Sequence, residues 1–187
     1  MMEVKGEALQ SLPLFIIKHH GRDAYSRWLN ALPLETRRFF RGDIEKEEWY
    51  PLGPMMSDPT RILCKMFYIK SLRGAFESGR FSAEYGLKGV KRLLIKLSSP
   101  DLLIEKAGTI LPSYYRPSAM AIIEHSHNQG IAHITEFPEM DPFIENRIAG
   151  WMSRALELSG CKNVRIMIPK SLTKGHAVTE FQVIWRC

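Results

Sequence analysis

Cysteine is scarce in this sequence, and long apolar runs are missing. The three cysteines, Cys64, Cys161 and Cys187, are odd in number and far apart, and they form no CxxC pair or Cys/His cluster of the kind that binds structural zinc. The sequence therefore predicts no metal site and a reducing, intracellular setting. The first residues lack a signal-peptide pattern and no segment approaches about 18 apolar residues, so we expect a cytoplasmic protein without a membrane span.

Motifs for catalysis are missing too. The sequence has no GxSxG elbow and no recognisable Cys/His nucleophile pattern. Binding is therefore favoured over catalysis, and no residue is assigned a catalytic role. An enzyme whose site is assembled from scattered residues stays open as a third hypothesis.

Positive charge is concentrated in the first part of the chain. The net charge is +6; residues 1–118 contain 19 Lys/Arg against 13 Asp/Glu, and residues 119–187 contain 7 against 7. No RGG tract, zinc-finger spacing or dense basic arm is present, so nucleic acid is not the expected partner.

At 187 residues the chain is expected to form a single domain with two halves. The helical half, residues 1–118, is predicted to contain helices over 7–20, 23–32, 34–40, 58–70, 83–97 and 99–115, with an ordered loop over 48–54. Pro13 argues against one continuous first helix. The helix after Asp58-Pro59 is apolar around much of its circumference, which predicts a central position in this half.

The hydrophobic period changes after residue 118. Alternating β-compatible residues over 119–125 and 131–137 flank the turn residues His127-Asn128-Gln129-Gly130, which predicts a hairpin. Asp141-Pro142 opens a helix that Gly160 ends, and a second hairpin follows over 164–185. The predicted fold is α+β: an N-terminal helical layer packed on a C-terminal ββαββ four-stranded antiparallel sheet.

Two groups of residues are candidates for binding. An apolar pocket between helices and sheet is the first, although the same side chains could equally fill a core. Within it, Cys64 is either an acylated or reactive thiol or a small buried hydrophobe. The pocket candidates are Phe15, Cys64, Phe67, Tyr68, Trp151, Phe181 and Trp185.

The second candidate is a basic helix face for a protein partner or membrane headgroups, although it could be an ordinary solvated face. Its residues are Lys88, Lys91, Arg92 and Lys96.

Short motifs spread over most of the chain carry a family resemblance. They are Val4-Lys5-Gly6, Trp49-Tyr50-Pro51-Leu52, Tyr85-Gly86, Tyr114-Tyr115, Gly150-Trp151, and Gly175 before Phe181-Gln182-Val183. Their order resembles a bacterial paralogous family expanded in myxobacteria, within the superfamily of haem-NO-binding domains, four-vinyl reductases and TRAPP subunits.

The resemblance implies a helical layer against a twisted antiparallel sheet, often dimeric, that holds haem, a hydrophobic molecule or an acyl chain, or that serves in assembly. The haem-binding branch uses a helical histidine shortly before a Tyr-x-Ser-x-Arg motif. Here no histidine lies between His20 and His125, and Tyr114-Tyr115-Arg116-Pro117-Ser118 does not match. Haem is therefore disfavoured and no cofactor is expected.

Of the other branches, the reductases' C-terminal cysteines have no counterpart here, and the TRAPP subunits' acylated helical cysteine directs attention to Cys64. The leading hypothesis is a sensor domain, expected to be homodimeric, that binds an apolar small molecule or acyl chain. The alternative is an interaction or scaffold module with a filled core.

Overall fold

A three-stranded sheet ties the start of the chain to its middle. The computed structural model describes residues 1–87 and 104–186. Strand β1 (Glu3–Lys5) lies antiparallel between β2 (Trp49–Pro51) and β3 (Tyr115–Arg116). The prediction of a loop over 48–54 was wrong, because β1 supplies hydrogen-bond partners that the local sequence does not reveal. A π-helical turn, Gly53–Ser57, follows β2.

The first four helices appear in the predicted order. They are α1 (Gly6–His20), α2 (Arg22–Ala31), α3 (Leu34–Arg41) and α4 (Asp58–Phe67). Helix α1 runs through Pro13 without a break, against the expectation from that proline. Helix α4 ends before residue 70 because Ile69 and Lys70 adopt positive φ angles of 52° and 62°, outside the helical region.

Helix α5 (Arg73–Gly86) was not predicted as such. The predicted helix over 83–97 overlaps it only at residues 83–86, and the remainder, from residue 88 onward, lies outside the described residues. The basic face of Lys88, Lys91, Arg92 and Lys96 lies there too. Helix α6 (Ala107–Tyr114) confirms the later part of the helix predicted over 99–115, and residues 99–103 again fall outside the described ranges.

A close crossing of α5 with α7 (Pro142–Leu158) occupies the centre of the molecule. A methyl group added at Gly79 would overlap the carbonyl oxygen of Arg147, and one at Gly150 would overlap that of Phe76. Two glycines, one on each helix, therefore let the backbones approach. The expectation that α4 is the central helix of the helical half stays a prediction.

The C-terminal sheet confirms the ββαββ prediction. Strands β4 (Ala119–Ser126), β5 (Gln129–Glu136), β6 (Lys162–Lys170) and β7 (Thr179–Arg186) pair antiparallel in the order β4-β5-β7-β6. Asp141 caps α7 by accepting hydrogen bonds from the backbone N–H groups of Phe143 and Ile144. Gly160, at a φ of 110°, supplies the left-handed residue after the helix.

The main hydrophobic core combines residues of both halves. Leu9, Phe15 and Leu63 from the helical part belong to the same buried cluster as Ile148 and Phe181. The fold is α+β, as predicted; its assignment to a single domain over 1–187 stays a prediction. Among residues 1–87 and 104–186, no helix is long and apolar enough to cross a membrane.

Candidate ligand-binding site

An apolar cavity lies between α5, α6 and α7 and the inner face of the four-stranded sheet. Its interior measures about 90 Å³, and the wider cleft around it, including open solvent, about 1000 Å³. The interior is several times the space that one water molecule needs, and its lining is mostly apolar. A small apolar molecule, or part of a larger one, is the matching occupant.

Side-chain alternation and helical spacing bring the lining together. On β7, Val183 and Trp185 face inward while Ile184 is exposed, as the two-residue period of a strand requires. On α7, Trp151 and Met152 lie three and four residues after Ile148 and line the same wall. Gly86 and Ile104, which flank residues 88–103, also line the cavity.

Arg147 places a buried guanidinium at this wall. The residue is 2% exposed. Its Nη1 donates to Ser78 Oγ at 2.8 Å, and its Nη2 donates to Ser11 Oγ at 2.8 Å and to the carbonyl oxygen of Ala8 at 3.1 Å. Burial lowers the pKa of Arg147, and the neighbouring Tyr115 hydroxyl opposes that shift.

The partners of Arg147 just named are all neutral. The only acidic residue buried on the same helix, Glu145, instead accepts a hydrogen bond of 2.7 Å from Thr179 Oγ1. It lies two positions from Arg147, and residues so spaced do not face each other on a helix. Within the described ranges, no carboxylate pairs with the Arg147 guanidinium.

Three further polar groups occupy the lining. Burial raises the pKa of Tyr114 to about 12, with a smaller contribution from Glu7, whose carboxylate lies near Gly86 and the Tyr114 hydroxyl. Trp185 is 1% exposed, and its Nε1–H finds no hydrogen-bond acceptor among the residues described. A buried donor without an acceptor costs about 1–3 kcal/mol. The cavity thus combines apolar walls with an unmatched cation and an unmatched donor.

The predicted pocket residues are only partly brought together. Trp151 and Trp185 line the cavity. Phe15, Cys64 and Phe181 are buried in the main core, and Phe67 and Tyr68 lie beside His20, with the Phe67 and His20 rings stacked at 4.5 Å. These five are not among the cavity-lining residues. The binding role assigned to the set of seven stays a prediction.

Cys64 lies on α4 without solvent exposure, and burial raises the pKa of its thiol to about 11. At neutral pH the group is therefore a thiol rather than the nucleophilic thiolate. Across residues 1–87 and 104–186, no cluster of three His, Cys, Asp or Glu side chains could hold a metal ion.

Sequence reasoning missed Arg147, Tyr114 and Ser82 as lining residues. A signal was available for Arg147: it falls between Ile144 and Ile148 on the apolar stripe of α7, where a charged residue is out of place. Ser82 could not be found, because the helix that positions it was not predicted.

No protein-family model and no curated protein sequence matches this chain. Solved structures do match it. An H-NOX protein from S. oneidensis in the Fe(II)NO ligation state has a TM-score of 0.73 at 12% identity, covering 98% of this chain and 99% of that one. An Fe(II) unliganded H-NOX protein from K. algicida has a TM-score of 0.71 at 11% identity, covering 98% and 97%. The H-NOX domain from Shewanella oneidensis in the Fe(II)CO state has a TM-score of 0.67 at 11% identity, covering 97% and 98%.

These matches overturn the expectation that haem is disfavoured. That expectation depended on the lack of a histidine between His20 and His125 and on a short motif, whereas the fold shared over nearly the whole chain is that of haem-NO-binding domains. At 11–12% sequence identity a short motif can differ while the backbone fold is retained. Iron in haem proteins is held by His, Cys, Met or Tyr, and among the described lining residues Met120, Met152, Tyr114 and Tyr115 are of these types. The likeness establishes the fold: this chain has the H-NOX fold.

Proposed function

We propose that this chain is a sensor domain that holds an apolar small molecule or acyl chain in the cavity between α5, α6, α7 and the sheet. The observation that carries the proposal is the cavity itself, lined by the inner face of β7 and the apolar side of α7. Ligand-binding cavities in proteins are typically concave and mostly apolar with a few placed polar groups, as this one is. The shared H-NOX fold supports a sensor role by analogy.

Haem belongs among the ligands to be tested, since proteins of this fold were solved in iron-ligation states. When bound, haem would supply an iron centre able to coordinate a diatomic gas. Met120, Met152, Tyr114 and Tyr115 are the described lining residues able to donate to that iron. The apolar walls would exclude water from it.

The test is native mass spectrometry, with an absorption spectrum, of protein freshly purified from cells supplied with haem. We expect a reproducible co-purifying molecule at about one per chain, and a Soret band would identify it as haem. The matched variant is Ala132→Leu, because Ala132 is buried on β5 and lines the cavity. This variant is expected to lose the molecule while remaining folded. Ligand-free wild-type protein, or equal retention by both proteins, would contradict the proposal.

A second candidate function is a protein-interaction module. Ile123, Met167 and Ile184 are large apolar residues of the four-stranded sheet with more than 40% of their surface exposed. The expected homodimer could use this face. Multi-angle light scattering of wild type and a Met167→Lys, Ile184→Lys variant tests it: a dimer that the variant converts to monomer supports this role, and an unchanged mass argues against it.

The narrower resemblance to a myxobacterial paralogous family remains a proposal, as do a cytoplasmic location and partner binding through Lys88, Lys91, Arg92 and Lys96.

A further inference from the structure

A buried cation beside an apolar cavity requires an explanation. Transferring a guanidinium out of water costs several kcal/mol unless an opposite charge and good hydrogen bonds compensate. Arg147 has the hydrogen bonds, to Ser78, Ser11 and Ala8, but these acceptors are neutral. The residue is almost fully buried, so solvent does not compensate for the charge either.

Arg147 borders the cavity. Arg147 lines the cavity, and so do two of the residues it contacts, Ala8 and Tyr115. The guanidinium therefore lies next to two residues of the cavity wall. The Tyr115 hydroxyl stands beside the same guanidinium and provides a neutral group that can share an anion.

A second observation is independent of the first. Trp185, on the sheet, presents a buried Nε1–H that has no acceptor in the described parts of the chain. It belongs to β7, whereas Arg147 belongs to α7, so one wall of the cavity contributes a donor without an acceptor and the other a cation without an opposite charge. A purely apolar occupant would satisfy neither of them.

One carboxylate does line the cavity, and its position matters. The Glu7 Oε1 atom lies near Gly86 and the Tyr114 hydroxyl, whereas the Arg147 guanidinium contacts Ser78, Ser11 and the Ala8 carbonyl oxygen. Glu7 therefore marks a different part of the wall from the guanidinium.

We propose that the ligand of this cavity is an apolar carboxylic acid whose anionic head pairs with Arg147 and whose body lies along the apolar walls. This inference rests on the proposed function, since it names the ligand class for the same cavity. A carboxylate paired with a guanidinium forms charge-assisted hydrogen bonds, which are roughly twice as strong as neutral ones. The Trp185 Nε1–H can donate to a second acceptor on the ligand, such as a carbonyl or ether oxygen.

The test compares decanoate with decanol, below their aggregation concentrations, by isothermal titration calorimetry on ligand-stripped wild-type protein. The two probes share the chain and differ in the head group. We expect decanoate to bind at least about tenfold more tightly, because a hydrogen bond between two charged groups is stronger than one to a neutral hydroxyl. Equal affinities would overturn the carboxylate inference and leave the proposed function standing. Binding of neither probe would argue against both.

Two variants test whether the preference for decanoate depends on Arg147. Arg147→Met should bind the two probes equally, and Arg147→Lys should keep a preference for decanoate. Loss of the charge leaves both serine hydroxyls paired, because Ser78 Oγ donates to the Ala75 carbonyl and Ser11 Oγ donates to that of Ala8, whereas the Tyr115 hydroxyl loses its hydrogen bond with Arg147. Without ligand, Arg147→Met should melt close to the wild-type temperature, because removal of a buried charge without an opposite charge offsets the hydrogen bond that Tyr115 loses. A decanoate preference that survives in Arg147→Met would overturn the assignment.

Discussion

At the scale of single residues, Glu180 organises a charged group on the sheet. Its carboxylate accepts hydrogen bonds from Lys170 Nζ at 2.8 Å and Gln182 Nε2 at 2.8 Å, and it contacts His133 Nε2 at 2.9 Å. These partners lower the pKa of Glu180 to about 2. Because the folded pKa lies below the ordinary value of 4.5, the carboxylate stabilises the fold above about pH 4.5. That stabilisation is lost as the pH falls toward 2.

The corresponding prediction concerns acid stability. Urea unfolding of the wild type should show a free energy of unfolding that falls between pH 4.5 and pH 2, and Glu180→Gln should show a smaller fall over that interval. The control is Glu136→Gln, an exposed acid on β5, which should retain the wild-type slope. Identical slopes for Glu180→Gln and the wild type would contradict the prediction.

His20 provides a second residue-scale prediction, in which the neutral form of the side chain, rather than the charged form, stabilises the fold. Burial lowers its pKa below 6.5, and the neighbouring His19 adds to the shift. Protonation therefore opposes folding, so the contribution of neutral His20 to stability is present above about pH 6.5 and is lost as the pH falls through the folded pKa. NMR titration should place His20 below 6.5, and a midpoint at or above that value would count against the close packing with Phe67.

At the scale of secondary-structure elements, the crossing of α5 and α7 depends on Gly79 and Gly150, whose lack of a side chain lets the two backbones approach. Gly79→Ala would place a methyl group against the Arg147 carbonyl oxygen, which belongs to the backbone and cannot move aside cheaply. We expect a loss of about 1–3 kcal/mol in the free energy of unfolding, measured in urea. Gly86→Ala on the same helix is the matched control, since its nearest atoms, 3.7 Å and 3.8 Å away, are in ordinary contact. Equal stability of the two variants would show that the helices do not cross this closely.

At the scale of the whole molecule, ligand binding and folding are linked through the cavity. A ligand that binds only the folded state at 100 times its Kd stabilises it by about 2.7 kcal/mol, which for a chain of this size raises Tm by roughly 5–10 °C. Scanning calorimetry should therefore show a higher Tm for protein as purified than after refolding without ligand. Ala132→Leu should melt at one temperature in both preparations. A wild type that carries a ligand yet shows no difference would argue against the cavity as its site.

Much of the architecture could be predicted from local sequence. The two hairpins and α7 are specified by alternation, by the Asn128 turn and by the Asp141 cap, all of which act within a few residues. The second sheet could not be predicted in the same way, because β1 pairs with strands more than 40 and 100 residues away. Helix α5 was missed because its buried face is made of small residues such as Gly74, Ala75 and Ser78, which carry little hydrophobic signal.

The sequence by itself determined the α+β class, the order of most elements and the placement of apolar side chains on their inner faces, because these follow from short-range periodicity and turn chemistry. Only the tertiary structure decided which residues meet. Arg147 contacts Ser78 and Ser11, which lie 69 and 136 positions earlier in the chain, and Trp185 lies on the opposite wall of the cavity. These placements arise from helix crossing and strand order. Haem shows the same division. Local sequence motifs argued against haem binding, whereas the fold, which is retained at 11–12% sequence identity, is that of domains named for binding haem.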